Sequence, residues 1–457
     1  MEKFEDILIE IKNWVWSAPL LILLIGTGIY LTILLRGVQF RYLGYALKQA
    51  FLPQKRETEG DISQFQALMT SLAGALGTGT IVGVATAVAI GGLGSMFWMW
   101  VMAFLGMAIK YAESLLAVKY RSLDDRGEMF GGPMQYIEKG LNWRWMAILF
   151  AVFGAIAAIG TGNLVQVNAI AEAVNSIWAA DPWVTGIILA LATGFVIIGG
   201  VKTIGKVAGI LVPAMALFYL AAGLIIIIFH LDKLPEAFEL IIKSAFNGQS
   251  AIGGFAGSTI MMSIQMGVSR SVFSNEAGLG ISSMAAAAAK TDCPGRQAMI
   301  TMTGALMSTV IVCSITGFVL AVTGVLGQTT ESGKVLSGAT MAIEAFNTTL
   351  PGGNYIVAIG LILFAFSTVI AWAYYGEKCF EYLFGEKSIV IYRILYTLIV
   401  IPGAALKMEM AWNLADIMNG LMVIPNLIAL IALSGVILAE TQSFLHLVKK
   451  EEEADLV

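Results

Sequence analysis

Two short stretches of an otherwise apolar chain carry groups able to recognise a small charged solute. The first is Gly74-Ala75-Leu76-Gly77-Thr78-Gly79-Thr80, in the middle of an apolar run from Gln66 to Ile90. Its three glycines each weaken a helix by about 1 kcal/mol relative to alanine. An unwound segment there exposes N–H and C=O groups that only protein, a cavity or a ligand can satisfy. The same glycines would also serve a close small-xxx-small helix crossing. No Gly-Lys-Ser/Thr follows, so a phosphate loop is excluded. The second stretch, within Thr259 to Ala289, sets Arg270, Ser271, Ser274, Asn275 and Glu276 among apolar residues. Charge at membrane depth costs several kcal/mol unless paired or solvated. Either a binding site or an internal Arg270–Glu276 pair would account for it, with Ser274 or Asn275 as N-cap of a half-helix starting near Ala277.

Other polar groups are sparser. Asn168, Glu172 and Asn175 fall at helical steps of four and three and form one stripe, with Asn163 and Gln166 close by; they would line a path or serve hydrogen bonds between helices. Ser367 and Thr368 place two adjacent hydroxyls in mid-helix, which would bond back to carbonyls four residues earlier if no ligand claims them. Lys110 and Glu113 read as an i, i+3 bridge, and Asp416 with Asn419 as structural polars of the last helix.

The elements that position these groups follow from composition. Of 457 residues, 58% are hydrophobic and 13% charged, and mean hydropathy is +0.81. So few charges could not cover the surface of a soluble fold of this length, so the chain is read as an all-α integral membrane protein. The 49 glycines fit helices packed closely in lipid. A net charge of -4 gives no basic footprint for nucleic acid. Two histidines and three cysteines without metal spacing exclude a His-built metal site, a zinc site and a disulfide framework. The N-terminus, acidic and without a small-residue cleavage pattern, does not read as a signal peptide.

Apolar windows of about 20 residues give eleven spans, starting near Trp14, Gln64, Leu93, Trp145, Trp183, Gly205, Phe255, Ala298, Tyr355, Ile389 and Trp412. The fourth, Trp145 to Trp178, is long enough to tilt or overrun the bilayer, and two short helices are its rival parse. Loops on one side hold 19 lysines and arginines, including Arg36, Lys55, Arg56 and Lys119; the other side, with the N-terminus, holds 6, among them Lys334 and Lys407. Basic residues stay cytoplasmic, which puts the N-terminus outside and the charged C-terminal tail inside. Discounting the first span, the two interrupted segments are the first and sixth of ten. They therefore enter the membrane from opposite sides, the pattern of a five-plus-five inverted repeat whose site lies where the broken helices meet. The chain then divides into residues 1–62, an extra helix and linker; 63–230 and 231–441, the two halves; and 442–457, the tail.

The run Gly91-Gly92-Leu93-Gly94-Ser95-Met96-Phe97-Trp98-Met99-Trp100, with GALGTGTI at Gly74 to Ile81 and SNEAGLG at Ser274 to Gly280, resembles the alanine or glycine:cation symporter family over nearly the whole chain. That family has the five-plus-five leucine-transporter fold with an extra first helix. The resemblance implies sodium-coupled symport of a small neutral amino acid. A zwitterion needs N–H donors at one end and carbonyls at the other. Gly77, Thr78 and Gly79 would hold the carboxylate, and carbonyls around Val272, Phe273 and Ser274 the ammonium. Phe273 and Trp372 would close the side-chain pocket, and Asn168 and Glu276 complete the expected contacts. The fold's shared sodium site, carried over, names Ser367, Thr368 and the Phe364 carbonyl, with Ala75 and Thr78 opposite.

The competing readings are proton coupling through Glu172 or Glu276, a channel, and a membrane enzyme. A channel calls for a repeated pore-lining motif rather than two unlike breaks, and an enzyme for a nucleophile and base or a metal cluster at depth. The residues offer neither.

Overall fold

In an apolar medium a helix satisfies its own backbone, and this chain forms helices almost throughout. The structure, a computed structural model, describes residues 2–52, 58–247, 259–329, 333, 335–406 and 408–454. The expected start of the seventh span at Phe255, the basic residues Lys55, Arg56, Lys334 and Lys407, and the last three residues of the tail lie outside the described residues.

In chain order the principal helices are α1 (Glu2–Val15), α2 (Ala18–Leu34), α3 (Gln64–Ala75), α4 (Val82–Gly91) and α5 (Gly94–Lys119). Next come α6 (Arg144–Trp178), α7 (Pro182–Ile197), α8 (Gly200–Phe229), α9 (Ile260–Asn275) and α10 (Ser283–Ala287). The last five are α11 (Pro294–Thr323), α12 (Gly353–Phe384), α13 (Ile389–Gly403), α14 (Met408–Ala432) and α15 (Ser434–Ala454). Among the described residues, 7 helical segments are each long and apolar enough to cross a membrane: Asp6–Leu34, α5, α6, α8, α11, α12 and Met410–Ala432. α5 and α12 are buried over most of their length, whereas α7, α8 and α13 expose Leu191, Phe195, Ile210, Val390 and Ile394 as a lipid-facing surface.

Local sequence explains the boundaries. Ser63 and Gln66 form a reciprocal capping box that starts α3. Asp181 caps α7 ahead of Pro182 at its first position. α6 is one helix of 35 residues, not two short ones, and absorbs a π-helical turn at Gly160–Leu164. α1 is amphipathic, and from Asp6 on it forms one apolar segment with α2. It packs on α14, with Lys12 Nζ donating to Asn413 Oδ1 at 2.8 Å and Trp16 Nε1 to the Asp416 carbonyl at 2.8 Å.

Both interruptions are present. α3 ends at Ala75, residues 78–80 form a single 3₁₀ turn, and α4 resumes at Val82. α9 continues through Asn275, and Glu276 terminates it in the left-handed conformation with φ 59°. The break thus lies later than Val272–Ser274. The inner piece does not start near Ala277: residues 276–282 are turns, and α10 begins at Ser283.

The segments leading into one broken helix and out of the other are stitched together. The N–H groups of Asp61 and Ile62 donate to the Ala288 carbonyl at 2.9 and 3.2 Å, and Lys290 N–H returns to the Ile62 carbonyl at 2.8 Å. Arg121 adds bonds to the carbonyls of Ala287 and Ala289 at 2.9 and 2.7 Å. The adjoining hairpin Ser122–Leu123/Met129–Phe130 docks through Met129 N–H on Asp61 Oδ2 at 2.7 Å. At its turn, burial alone would raise the Asp124 carboxyl, but the Glu128 N–H and the charges of Lys378 and Arg126 hold it below the ordinary range.

Gly280 sits at φ 75° with the position of a Cβ only 2.6 Å from Pro133 Cγ and 2.8 Å from Asn426. Gly280→Ala therefore costs about 1–3 kcal/mol of stability. Gly26→Ala, with open space around it, changes stability by less than about 1 kcal/mol. Thermal unfolding of detergent-purified protein compares the two.

Candidate functional site

The first break leaves polar groups without partners. Leu76 N–H still closes a helical bond to the Leu72 carbonyl at 2.7 Å, and Thr80 N–H reaches the Gly77 carbonyl at 3.2 Å. Thr78 N–H donates to Gln166 Oε1 at 3.0 Å. Among the described residues no acceptor takes the N–H of Gly77 or Gly79, and the buried Thr78 Oγ1 has no hydrogen-bond partner either. Orphan buried N–H groups are rare in proteins, and three unfilled groups converging on one turn describe a receptor for an anion.

The second break is sealed on one face and open on the other. Lys110 Nζ donates to the Asn275 carbonyl at 2.7 Å and to Ser71 Oγ at 3.3 Å. Glu113 Oε1 accepts from Gly278 N–H at 2.9 Å, Gly280 N–H at 3.1 Å and Asn426 Nδ2 at 2.7 Å. These two residues do not bridge each other: they clamp opposite ends of the gap. Because Ala277 N–H goes to Asn275 Oδ1 at 2.9 Å and Gly278 N–H to Glu113, the carbonyls of Phe273 and Ser274 lose their helical donors. Val272 does not join them, since its carbonyl keeps a helical bond from Glu276 N–H at 2.8 Å. The Phe273 carbonyl lies across from Gly79, 3.5 Å from where a Cβ would stand. The Phe273 carbonyl, without its helical donor, thus lies beside the first break.

The walls of this gap are aromatic. Phe273 stacks on Trp412 with ring centroids 4.9 Å apart. Trp372 Nε1 approaches the Gly74 carbonyl at 3.4 Å, and its Cβ lies 2.1 Å from the Cβ position at Gly162, so only glycine admits that tryptophan. Above the stacked pair, Arg270 Nη2 meets Asp416 Oδ2 at 2.7 Å, with the guanidinium over Trp412 at 5.0 Å. Arg270 therefore pairs with Asp416 and not with Glu276, and Asp416 is the counter-charge in this lid. With the stitched segments at the other end, the gap is enclosed from both sides.

Ser367 and Thr368 point at the end of α3. Thr368 Oγ1 lies 2.8 Å from the Ala73 carbonyl, 3.4 Å from that of Gly74 and 3.2 Å from that of Phe364. Ser367 Oγ lies 3.2 Å from the Ala73 carbonyl and 2.8 Å from that of Phe364. The hydroxyl pair and the Phe364 carbonyl come together as expected, but the carbonyls meeting the hydroxyls are those of Ala73 and Gly74 in place of Ala75 and Thr78. Two hydroxyl and three carbonyl oxygens gather there, a donor set of the hard oxygens that alkali cations prefer.

Of the remaining expected residues, Asn168 donates to the Leu406 carbonyl at 2.5 Å and Asn175 to the Ala180 carbonyl at 2.9 Å, while Glu172 is exposed. The stripe thus spends its two amides on backbone contacts. Gln166, one of five polar residues weighed on that helix, makes the contact to the break, held by Nε2 on the Thr161 carbonyl at 3.0 Å. Glu276 is fully buried, and neither carboxylate oxygen has a hydrogen-bond partner; Oε1 stands 2.8 Å from the Cβ position at Gly74.

Comparison with known proteins places these features in context. Residues 1–456 match the model of the sodium:alanine symporter family. The sodium/alanine symporter AgcS of Methanococcus maripaludis is 51% identical over 98% of this chain and 99% of its own. A protein of Bacillus subtilis named a probable sodium/glutamine symporter, GlnT, is 35% identical over 97% of this chain and 91% of its own. Among solved structures, MhsT in complex with L-phenylalanine superposes with a TM-score of 0.61 at 14% identity, covering 84% of this chain and 93% of that one; at that identity the likeness concerns the fold.

Two substitutions test the geometry. A methyl group at Gly77 would stand 2.6 Å from Thr368 Oγ1 and 2.8 Å from Gln166 Oε1, so Gly77→Ala abolishes uptake and ligand-induced thermal stabilisation in protein that still folds. Glu113→Ala strands two buried N–H groups and costs about 3 kcal/mol or more, read as a fall in the unfolding midpoint.

Proposed function

This chain belongs to the sodium:alanine symporter family, and from that premise we propose a sodium-coupled symporter of small neutral amino acids, alanine or glycine, working by alternating access. It is a multi-pass membrane transporter of amino acids, not an enzyme. The observation that carries the proposal is the pairing of unfilled N–H groups at Gly77 and Gly79 with donor-less carbonyls at Phe273 and Ser274. A zwitterion presents its carboxylate to the first and its ammonium to the second. Thr78 Oγ1 adds a donor to the carboxylate. Family membership alone leaves the side chain open, since one relative is named for glutamine; Phe273, Trp412 and Trp372 around the gap favour a side chain no larger than methyl.

Sodium is the co-transported cation, held by Ser367, Thr368 and the carbonyls of Phe364, Ala73 and Gly74. The eleven spans form two inverted halves, 63–230 and 231–441, behind the extra helix of residues 1–62, with the N-terminus outside and the tail 442–457 inside. The Arg270–Asp416 lid then closes the outer side and the stitch of Ile62 to Ala288 and Lys290 the inner side, and each opens in turn. The fully buried, unpartnered Glu276 supports a second reading, proton coupling at that carboxylate; the exposure of Glu172 disfavours it as the alternative acid.

In proteoliposomes, alanine uptake should rise with an inward sodium gradient and stay flat without one. The double variant Ser367→Ala/Thr368→Ala should lose that response while retaining its fold; uptake of alanine that ignores sodium overturns the proposal. If instead a pH gradient drives uptake and Glu276→Gln abolishes it, the proton reading holds. Across glycine, alanine, valine and leucine, affinity should fall steeply beyond alanine, by about 10-fold or more per added methylene that the walls must displace.

A further inference from the structure

A cavity lies between the basic end of α2 and the terminal helix α15, and none of the residues of the proposed transport site lines it. Its volume is about 240 Å³, and Arg36, Arg41, His446 and Lys449 line it without an acidic side chain among the lining residues. None of these four is in an ion pair among the described residues, although the same helix does pair its acids. Glu440 bonds Lys119 at 2.5 Å and Glu451 bonds Arg296 at 2.7 Å. α15 therefore has two stripes. Ile437, Phe444 and Val448 are buried along the inner one. Leu438, Gln442, Leu445 and Lys449, at helical spacing, turn to the cavity. The chain reverses directly after α2, with Arg36 and Gly37 both left-handed at φ 53° and 66°, and the guanidinium of Arg41 lies 5.7 Å from the Tyr42 ring. Arg36, Arg41 and Lys449, with His446, converge on one concave space.

The rim gives the ligand's second property. Ile33, Phe40 and Leu447, chain neighbours of the lining residues Leu34, Arg41 and His446, are exposed, which sets apolar surface next to the basic one. Three unpaired cations, Arg36, Arg41 and Lys449, with the polar ring of His446 beside them, suit a phosphodiester whose remaining part is apolar. A free phosphate would use the charge and leave the apolar rim wet.

We propose that the cleft between α2 and α15 is a binding site for the headgroup of an anionic glycerophospholipid, with Arg36, Arg41 and Lys449 on the phosphate. The proposal rests only on the chain being membrane-embedded, not on its substrate or coupling ion. Full-length protein in detergent is titrated with phosphatidylglycerol, phosphatidylcholine and inorganic phosphate, and retained lipid is counted by native mass spectrometry. The wild type should retain phosphatidylglycerol in preference to phosphatidylcholine, with millimolar phosphate failing to displace it. Arg36→Gln/Arg41→Gln/Lys449→Gln should lose more than about tenfold in retention, since each cation near the surface contributes about 1 kcal/mol. Lys202→Gln/Lys206→Gln, which removes basic residues elsewhere, should retain the lipid. Equal retention of both lipids by the wild type overturns the proposal, as does displacement by phosphate or undiminished binding by a folded triple variant. The comparison of lipids on wild-type protein stands even if the triple variant fails to fold.

Discussion

A backbone N–H or C=O inside a membrane protein has no water to fall back on, and each one left alone costs several kcal/mol. This constraint governs both breaks, and they meet it differently. Around residues 276–280 the protein supplies the missing partners: Lys110 on the last carbonyl of α9, Glu113 on the N–H groups of Gly278 and Gly280, and Asn426 on Gly278. For the N–H groups of Gly77, Thr78 and Gly79 it supplies, among the described residues, only Gln166. The unfilled N–H groups at Gly77 and Gly79, and the carbonyls of Phe273 and Ser274 displaced from helical bonding, are the backbone groups that the proposed substrate would complete.

The clamp also accounts for buried charges that would otherwise be costly. The helix end at Asn275 presents partial negative charge and receives an ammonium; the N–H groups past the turn present partial positive charge and receive a carboxylate. Lys110 and Glu113 stand less than one turn apart on α5, so a single rigid helix spans the gap. Through Ser71 and Asn426 the same pair touches α3 and α14. The break is held open by elements from both sides of the site, which makes its geometry a property of the packed core and not of the unwound segment.

Much of this was legible in the chain itself. Apolar runs located the helices, a glycine cluster and a polar run located the two interruptions, and the family resemblance, not the residues alone, singled out the adjacent hydroxyls of Ser367 and Thr368. What escaped has a common physical reason: partners far apart in sequence. Arg270 and Asp416 are 146 residues apart, and Lys110 and Asn275 are 165 apart. Local reading therefore offered Arg270 only Glu276 as an internal partner, beside the binding-site alternative, and set Lys110 against Glu113, the nearest opposite charges. The break was read too early for a related reason. Ser274 and Asn275 read as N-caps of the next piece, yet Ser271 Oγ bonds the Met99 carbonyl at 3.1 Å and Ser274 Oγ the Ser271 carbonyl at 3.2 Å, so the hydroxyls are satisfied by helices. Gln166 was visible as a polar residue, but only the fold distinguishes it from Asn168 two positions on.

The proposed coupling follows from how little chain separates the two ligands. The carbonyls of Ala73 and Gly74 end α3 at the hydroxyl pair, and the N–H groups of Gly77 and Gly79 open toward the substrate only a few residues later. A cation among Ser367, Thr368 and those carbonyls fixes the last turn of α3, and with it the torsions of the glycines that follow. Glycine has the most conformational freedom to lose, so a turn already ordered by the cation binds a carboxylate at smaller entropic cost. The substrate in turn orders the same glycines and holds the carbonyls where the cation needs them. Linkage requires the two effects to be equal. In this reading the glycines are the element through which the two ligands act on each other, and Trp372, whose indole reaches the Gly74 carbonyl while walling the pocket, registers both.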